Sequence, residues 1–113
     1  MEPLDTQEKF ETLFRNPKAE GRRVSDTLFF VYFTATWCGP CKKLDKDLIA
    51  STAKEKGIPI YICDNVINEY TVGYCMVNSF PTFIAYTLGK EKNRLTSNHT
   101  EAVLTWIDYV SEK

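Results

Sequence analysis

Apolar side chains along this chain recur with two different periods, and each change of period marks an element. Phe10, Leu13 and Phe14 fall on one face of a helix over 6–15, with Thr6 as its N-cap and Glu8 and Lys9 facing out. Residues 16–27 gather Pro17, Gly21 and charges, and read as a loop. The run 28–33 (LFFVYF) is apolar on both parities, as a strand covered on both faces must be. After Cys38, Leu44, Leu48 and Ile49 share one side of a helix that Gly57 and Pro59 end. A strand over 58–63 (IPIYIC) follows, then a short helix within 65–76, weakened by Gly73, and a strand over 81–87 that opens with proline. Leu88-Gly89-Lys90 turns into a weaker strand near 91–95. Asn98 and Glu101 make a capping-box pattern ahead of a last helix, whose Ala102, Val103, Trp106, Ile107 and Val110 line one face.

The predicted order is α-β-α-β-α-β-β-α, with a short strand around Leu4. Helices between the early strands imply parallel crossovers, and the late strand-turn-strand implies an antiparallel edge. At 113 residues, 43% of them hydrophobic, the chain reads as one α/β domain over 1–113 with a core that needs no disulfide staples.

Charge narrows the function classes. Fourteen basic residues against fifteen acidic ones give a net charge of -1, where a nucleic-acid binder would carry a basic excess, so no nucleic-acid partner is expected. Arg22-Arg23 and Lys42-Lys43 read as solvated surface. No apolar run approaches the roughly 20 residues of a membrane span, and the acidic, polar start lacks the features of a signal peptide. A cytoplasmic chain with no membrane partner is expected, in a compartment where thiols are catalytic, metal-binding or simply buried.

The chemistry concentrates in Trp37-Cys38-Gly39-Pro40-Cys41, where a buried strand gives way to a helix. The first cysteine stands at the helix N-terminus, where free N–H groups and the macrodipole favour a thiolate, the reactive form of the thiol. The second lies one turn inside, less exposed and close enough to form a disulfide. Cys38 is therefore the expected nucleophile and Cys41 the resolving thiol. Gly39 and Pro40 suit a first turn, since proline there gives up no needed hydrogen bond.

The stretch Phe33-Thr34-Ala35-Thr36-Trp37-Cys38-Gly39-Pro40-Cys41-Lys42 resembles the active-site segment of the thioredoxin family, and Phe80-Pro81-Thr82-Phe83 resembles the family's second signature. The resemblance implies a thioredoxin fold, a central mixed sheet of four or five strands flanked by four helices. It implies that Pro81 is cis and lies against the cysteine pair, that the backbone of Phe80 pairs with the substrate chain, and that Trp37 borders the site with Thr82 next to the proline. It also implies a protein-disulfide reductase with no bound cofactor. Electrons would come from NADPH through a thioredoxin reductase, disulfide-containing proteins would be the substrates, and the potential would lie near about −270 mV. A monomer is the expected state.

Four places depart from the family pattern. Tyr32 stands where a buried Asp usually serves as general base for the resolving thiol, and a tyrosine, with a reference pKa of about 10, is a poor base at neutral pH. Asp45 reads as a surface carboxylate, with help to Cys41 through water as the alternative. Lys46 replaces the proline that kinks the family's helix, so an unkinked helix is expected. Phe80 replaces a smaller aliphatic residue, and Ser97-Asn98 a glycine-containing turn. An altered rate or partner choice is the expectation.

Cys63 reads as a small buried hydrophobe. Cys75 has two readings, an inert thiol or a secondary redox thiol that could link two molecules. Zinc is disfavoured, because only one closely spaced cysteine pair exists, and no metal is expected. His99 reads as a surface residue near the last helix's start, and Trp106 as core. The competing function is a binding module that uses the groove beside Pro81 without turnover, with a reductase dedicated to a single substrate lying between the two.

Overall fold

The computed structural model describes residues 1–14 and 28–112; the expected loop over 16–27, with Arg22 and Arg23, lies outside them. Five strands, β1 (Glu2–Pro3), β2 (Phe29–Thr34), β3 (Ile60–Asp64), β4 (Thr82–Thr87) and β5 (Lys90–Thr96), form one sheet in the order β1-β3-β2-β4-β5. β1, β3 and β2 run parallel, while β4 is antiparallel to both β2 and β5. Four α-helices complete the described chain: α1 (Gln7–Phe14), α2 (Lys46–Glu55), α3 (Glu69–Tyr74) and α4 (Thr100–Ser111).

β2 is buried at every position, and its side chains alternate between two cores. Phe30 and Tyr32 pack with Ile49, Ala53, Val103 and Ile107 beneath α2 and α4. Phe29, Val31 and Phe33 pack with Phe10, Val72, Cys63 and Cys75 beneath α1 and α3. This two-sided burial is why the strand reads as a continuous apolar run. The short β1 is held by the Leu4 N–H on the Ile62 carbonyl (2.8 Å) and by Asn68 Nδ2 on the Leu4 carbonyl (3.1 Å).

Turn chemistry sets several boundaries as expected. Thr6 Oγ1 accepts from the Lys9 N–H at the start of α1. Gly57 adopts a left-handed φ of 72° at the end of α2, with Gly57 N–H on the Lys54 carbonyl and Ile58 N–H on that of Ala53, a Schellman closure. Leu88 and Gly89 both have positive φ between β4 and β5, the geometry a two-residue hairpin favours.

Three expectations change. The helix after Cys38 is not continuous: a short 3₁₀ turn (Pro40–Lys43) ends at Leu44, which is extended (φ −80°, ψ 138°), and α2 restarts with Asp45 as its N-cap. The break needs no proline. Asp45 Oδ1 accepts from the Leu48 N–H (3.0 Å), the Asp45 N–H donates to Thr100 Oγ1 (3.0 Å), and extension lets Leu44 drop into the core. The same shift leaves Leu48 exposed and not on the buried face with Ile49. At α4 the N-cap is His99, exposed and without a side-chain cap, in place of Asn98; Ser97 Oγ accepts from its N–H (3.1 Å). Val103, Trp106, Ile107 and Val110 are buried as expected, and Trp106 Nε1 donates to Asn93 of β5 (2.9 Å).

Candidate active site

Strand register builds the site. Phe33 of β2 pairs with Thr82, the first residue of β4, and with Cys63 near the end of β3. The loop leaving β2 and the segment entering β4 therefore meet at one end of the sheet, and these carry the cysteine pair and Pro81. Cys38 and Cys41 form a disulfide with Cα atoms 5.4 Å apart. The Phe80–Pro81 bond is cis, in agreement with the resemblance.

Ala35, Cys38 and Cys41 make a small buried cluster, with Phe80 packed against it. The Cys38 N–H donates to the Ala35 carbonyl (2.9 Å), which folds the loop back on itself. Cys38 Sγ accepts the Cys41 N–H at 3.1 Å. That bond is one of the N–H donors expected there, while the macrodipole half of the expectation changes. The local helix is only the 3₁₀ turn, so a directed N–H donor takes the place of a long helix's macrodipole. Both cysteines are buried, Cys41 only marginally the less exposed of the two.

Gly39 caps the 3₁₀ turn and Pro40 occupies its first position, where the missing N–H costs nothing. Trp37 is largely exposed and meets the Phe80 ring edge to face at 5.6 Å. Thr82 is buried, donates to the Ser79 carbonyl (2.8 Å) and shares a hydrogen bond with Thr96 (2.7 Å), which ties the proline segment to β5.

Tyr32 and Lys46, two departures from the family pattern, touch. The Lys46 ammonium lies 6.0 Å from the centroid of the Tyr32 ring, within cation–π range, and Phe83 stacks on that ring at 4.8 Å. The Tyr32 hydroxyl donates to Thr34 Oγ1 (3.3 Å). Burial pushes the Tyr32 pKa up, against a smaller downward pull from Thr34. The phenol thus stays protonated at neutral pH and cannot act as the base the family's Asp provides. Asp45 is exposed and caps α2.

The other two cysteines belong elsewhere. Cys63 and Cys75 are free, buried thiols in the core beneath α1 and α3, apart from the cluster that holds Cys38 and Cys41. Burial pushes the Cys63 thiol up to about 12 and raises that of Cys75. Cys75 is the C-cap of α3 within an apolar core, an environment that favours the inert reading. Among the described residues, no group of three or more His, Cys, Asp and Glu is placed to hold a metal.

Two residues escaped the sequence reading. Asp64, at the end of β3, accepts from Thr36 Oγ1 (3.0 Å) and from the Val66 N–H (2.8 Å), joining the active-site loop to the approach to α3. Arg94 of β5 donates to the carbonyls of Cys75 (2.9 Å) and Met76 (3.2 Å) while paired to Glu91. It supports Met76 at a left-handed φ of 55°, just ahead of the Phe80–Pro81 segment. Neither belongs to a motif: Asp64 closes an apolar strand, and Arg94 is one charge among several in β5.

The thioredoxin family model matches residues 5–109. The chain belongs to the thioredoxin family. It is 33% identical over 85 residues to the thioredoxin of Gallus gallus, covering 74% of this chain and 80% of that one. Thioredoxin-2 of Saccharomyces cerevisiae is 32% identical over 78 residues, with 69% and 75% covered. The solved structure of Fasciola hepatica thioredoxin superposes with a TM-score of 0.78 at 28% identity, over 96% of this chain and 98% of that one. Family membership and a cysteine pair at disulfide distance make the chain a thiol-disulfide oxidoreductase of the protein-disulfide reductase type. Members of the thioredoxin family generally act on disulfide substrates and are reduced by a thioredoxin reductase.

Proposed function

We propose that the chain is a protein-disulfide reductase in which Cys38 attacks and Cys41 resolves. The observation that carries this assignment of roles is the Cys41 N–H aimed at Cys38 Sγ, a donor that stabilises negative charge on that sulfur. The Cys38 thiolate attacks one sulfur of a partner disulfide, forming a mixed disulfide as the other partner sulfur leaves and takes a proton. Cys41 then loses its proton and attacks Cys38 Sγ, releasing the second partner thiol. Two electrons pass to the partner and the Cys38–Cys41 disulfide remains. Trp37, Phe80 and Pro81 form the wall over which the partner chain lies, with Gly39 and Pro40 shaping the turn and Thr82 fixing the proline segment.

The electrons come from NADPH through a flavoprotein thioredoxin reductase, in the cytoplasm; the free thiols Cys63 and Cys75 support a reducing compartment. With Tyr32 protonated and buried, the second step follows Cys41's own ionisation and quickens as pH rises. Insulin reduction driven by NADPH and thioredoxin reductase tests the reading: turnover is expected, slower than that of a standard thioredoxin at neutral pH because Tyr32 supplies no base. A potential above roughly −200 mV would move the protein to the isomerase or oxidase class. Tyr32→Asp should raise the rate between pH 6 and 8, and an unchanged rate would remove the proton-handling part of the proposal.

A further inference from the structure

Two helices of this chain end on the same motif with different residues. α2 closes with Gly57 in the left-handed region, its N–H on the Lys54 carbonyl and the Ile58 N–H on that of Ala53. α3 closes with the matching pair of bonds, Met76 N–H on the Gly73 carbonyl (3.0 Å) and Val77 N–H on that of Val72 (3.1 Å). Here a methionine holds the left-handed position, at φ 55°. Glycine adopts that conformation freely, whereas a residue with a Cβ resists it. The Met76 side chain is 73% exposed, so its own packing does little to compensate. The compensation comes from β5. Arg94 Nη2 donates to the Cys75 carbonyl (2.9 Å) and Nη1 to that of Met76 (3.2 Å). Glu91 accepts from Nε (2.8 Å) and Nη2 (2.6 Å), which fixes the fork of the guanidinium.

We infer that Arg94 is a positioning residue for the reductase: by holding Met76 left-handed it sets where Phe80 and Pro81 stand over the cysteine pair, and so how well a partner chain lies against them. The inference rests on the reductase reading. The register of β5 explains how the hold is transmitted. Arg94 lies opposite Ile84 and Thr96 opposite Thr82, so both side chains leave the same face of β5, about 7 Å apart along the strand. Thr96 shares a hydrogen bond with Thr82, which donates to the Ser79 carbonyl. The segment from Cys75 to Thr82 thus hangs from one face of β5 at both ends. Phe80, packed against Ala35, Cys38 and Cys41, belongs to that segment. Released from Arg94, Met76 favours right-handed or extended backbone, the α3 closure opens, and the residues up to Pro81 are tied at one end only. Misplacement by about 1 Å costs up to about a hundredfold where a reaction depends on alignment. A small disulfide needs access to Cys38 but not the wall along which a partner chain lies, so the two kinds of substrate separate the effect.

The test follows insulin reduction with dithiothreitol and, separately, the reaction of the pre-reduced protein with the small disulfide dithiobis(nitrobenzoate). Arg94→Met should raise KM for insulin about fivefold, leave kcat within about twofold and leave the small-disulfide rate unchanged. Arg94→Lys keeps the charge but not the fork and should behave the same way. Met76→Gly alone should match wild type. Added to Arg94→Met, it should bring KM back to within about twofold of wild type, because glycine needs no clamp to stay left-handed. A packing loss at Arg94 would not be repaired by removing a second side chain. Wild-type insulin kinetics in either Arg94 variant, a failure of Met76→Gly to rescue, or a Met76→Gly single variant as impaired as Arg94→Met each overturn the proposal. So does an equal loss on both disulfides, which would mean general loosening. Wild type that reacts with the small disulfide and leaves insulin intact removes the protein-disulfide reading, and the proposal with it.

Discussion

Cys38 and Cys41 are 3% and 2% exposed, Cys63 and Cys75 0% and 7%, yet the two pairs have opposite chemistry. Exposure alone does not separate them. What differs is the neighbourhood of the sulfur. Cys38 has a backbone N–H pointed at it, beside an exposed tryptophan and a cis-proline segment. Cys63 has the Asn68 carbonyl 3.9 Å away, an acceptor that suits a thiol and repels a thiolate, and otherwise apolar core. A sulfur beside a donor is poised to carry charge; a sulfur beside an acceptor and hydrocarbon is held neutral.

The largest expected effect follows from removing one member of each pair. Cys38→Ser should bring dithiothreitol-driven protein-disulfide reduction down to the uncatalysed rate, whereas Cys63→Ala and Cys75→Ala should each stay within about twofold of wild type. A large loss in either core variant would break the comparison. Next, in the reduced protein at pH 7.5, iodoacetamide should label Cys38 on the order of a hundredfold faster than Cys63 or Cys75, read by mass spectrometry of peptides. Denaturant should erase the difference.

A smaller effect comes from alkaline pH. The unfolded Cys63 thiol ionises near about 8.5, while the folded one, pushed up to about 12, keeps its proton. Below the lower value both states are neutral and the contribution is constant. Above it the unfolded chain binds fewer protons, so stability falls by on the order of 1 kcal/mol for each pH unit until the folded thiol also titrates. Urea unfolding from pH 8 to 10.5 should show a steeper decline in wild type than in Cys63→Ala. The finest distinction lies within the core pair. Arg94→Met removes the donors on the Cys75 and Met76 carbonyls and should cost about 1–2 kcal/mol. It should also raise Cys75 labelling severalfold and leave Cys63 unchanged; equal acceleration of both would mean global loosening.

Local signals carried much of the architecture. LFFVYF announced a strand buried on both sides because every position is apolar, and Gly57 announced the end of α2 because the left-handed turn there suits glycine. Phe10 and the stripe from Val103 to Val110 were legible from spacing alone. Leu48 was not, because Leu44 and Leu48 share a face only if the helix is continuous. The break at Leu44 was decided by Asp45 capping α2 and by Thr100 of α4, a partner distant in sequence. The same holds for Asn98, where the side-chain pattern was present but the helix began one residue later, after His99.

By itself the sequence determined the order of elements, the cysteine pair after a buried strand and the proline segment. Spacing and residue type are local properties, and these features rest on nothing else. Tertiary structure decided which sulfur is served by which neighbour. It brought Cys38 and Cys41 together with Phe80 and Pro81 through the β2–β4 register, and placed Cys63 and Cys75 in the separate core beneath α1 and α3. It set Lys46 over the ring of Tyr32 and hung Cys75 and Met76 on Arg94. Those choices depend on contacts between residues far apart along the chain, and a period read along one strand or helix carries no information about what packs across from it.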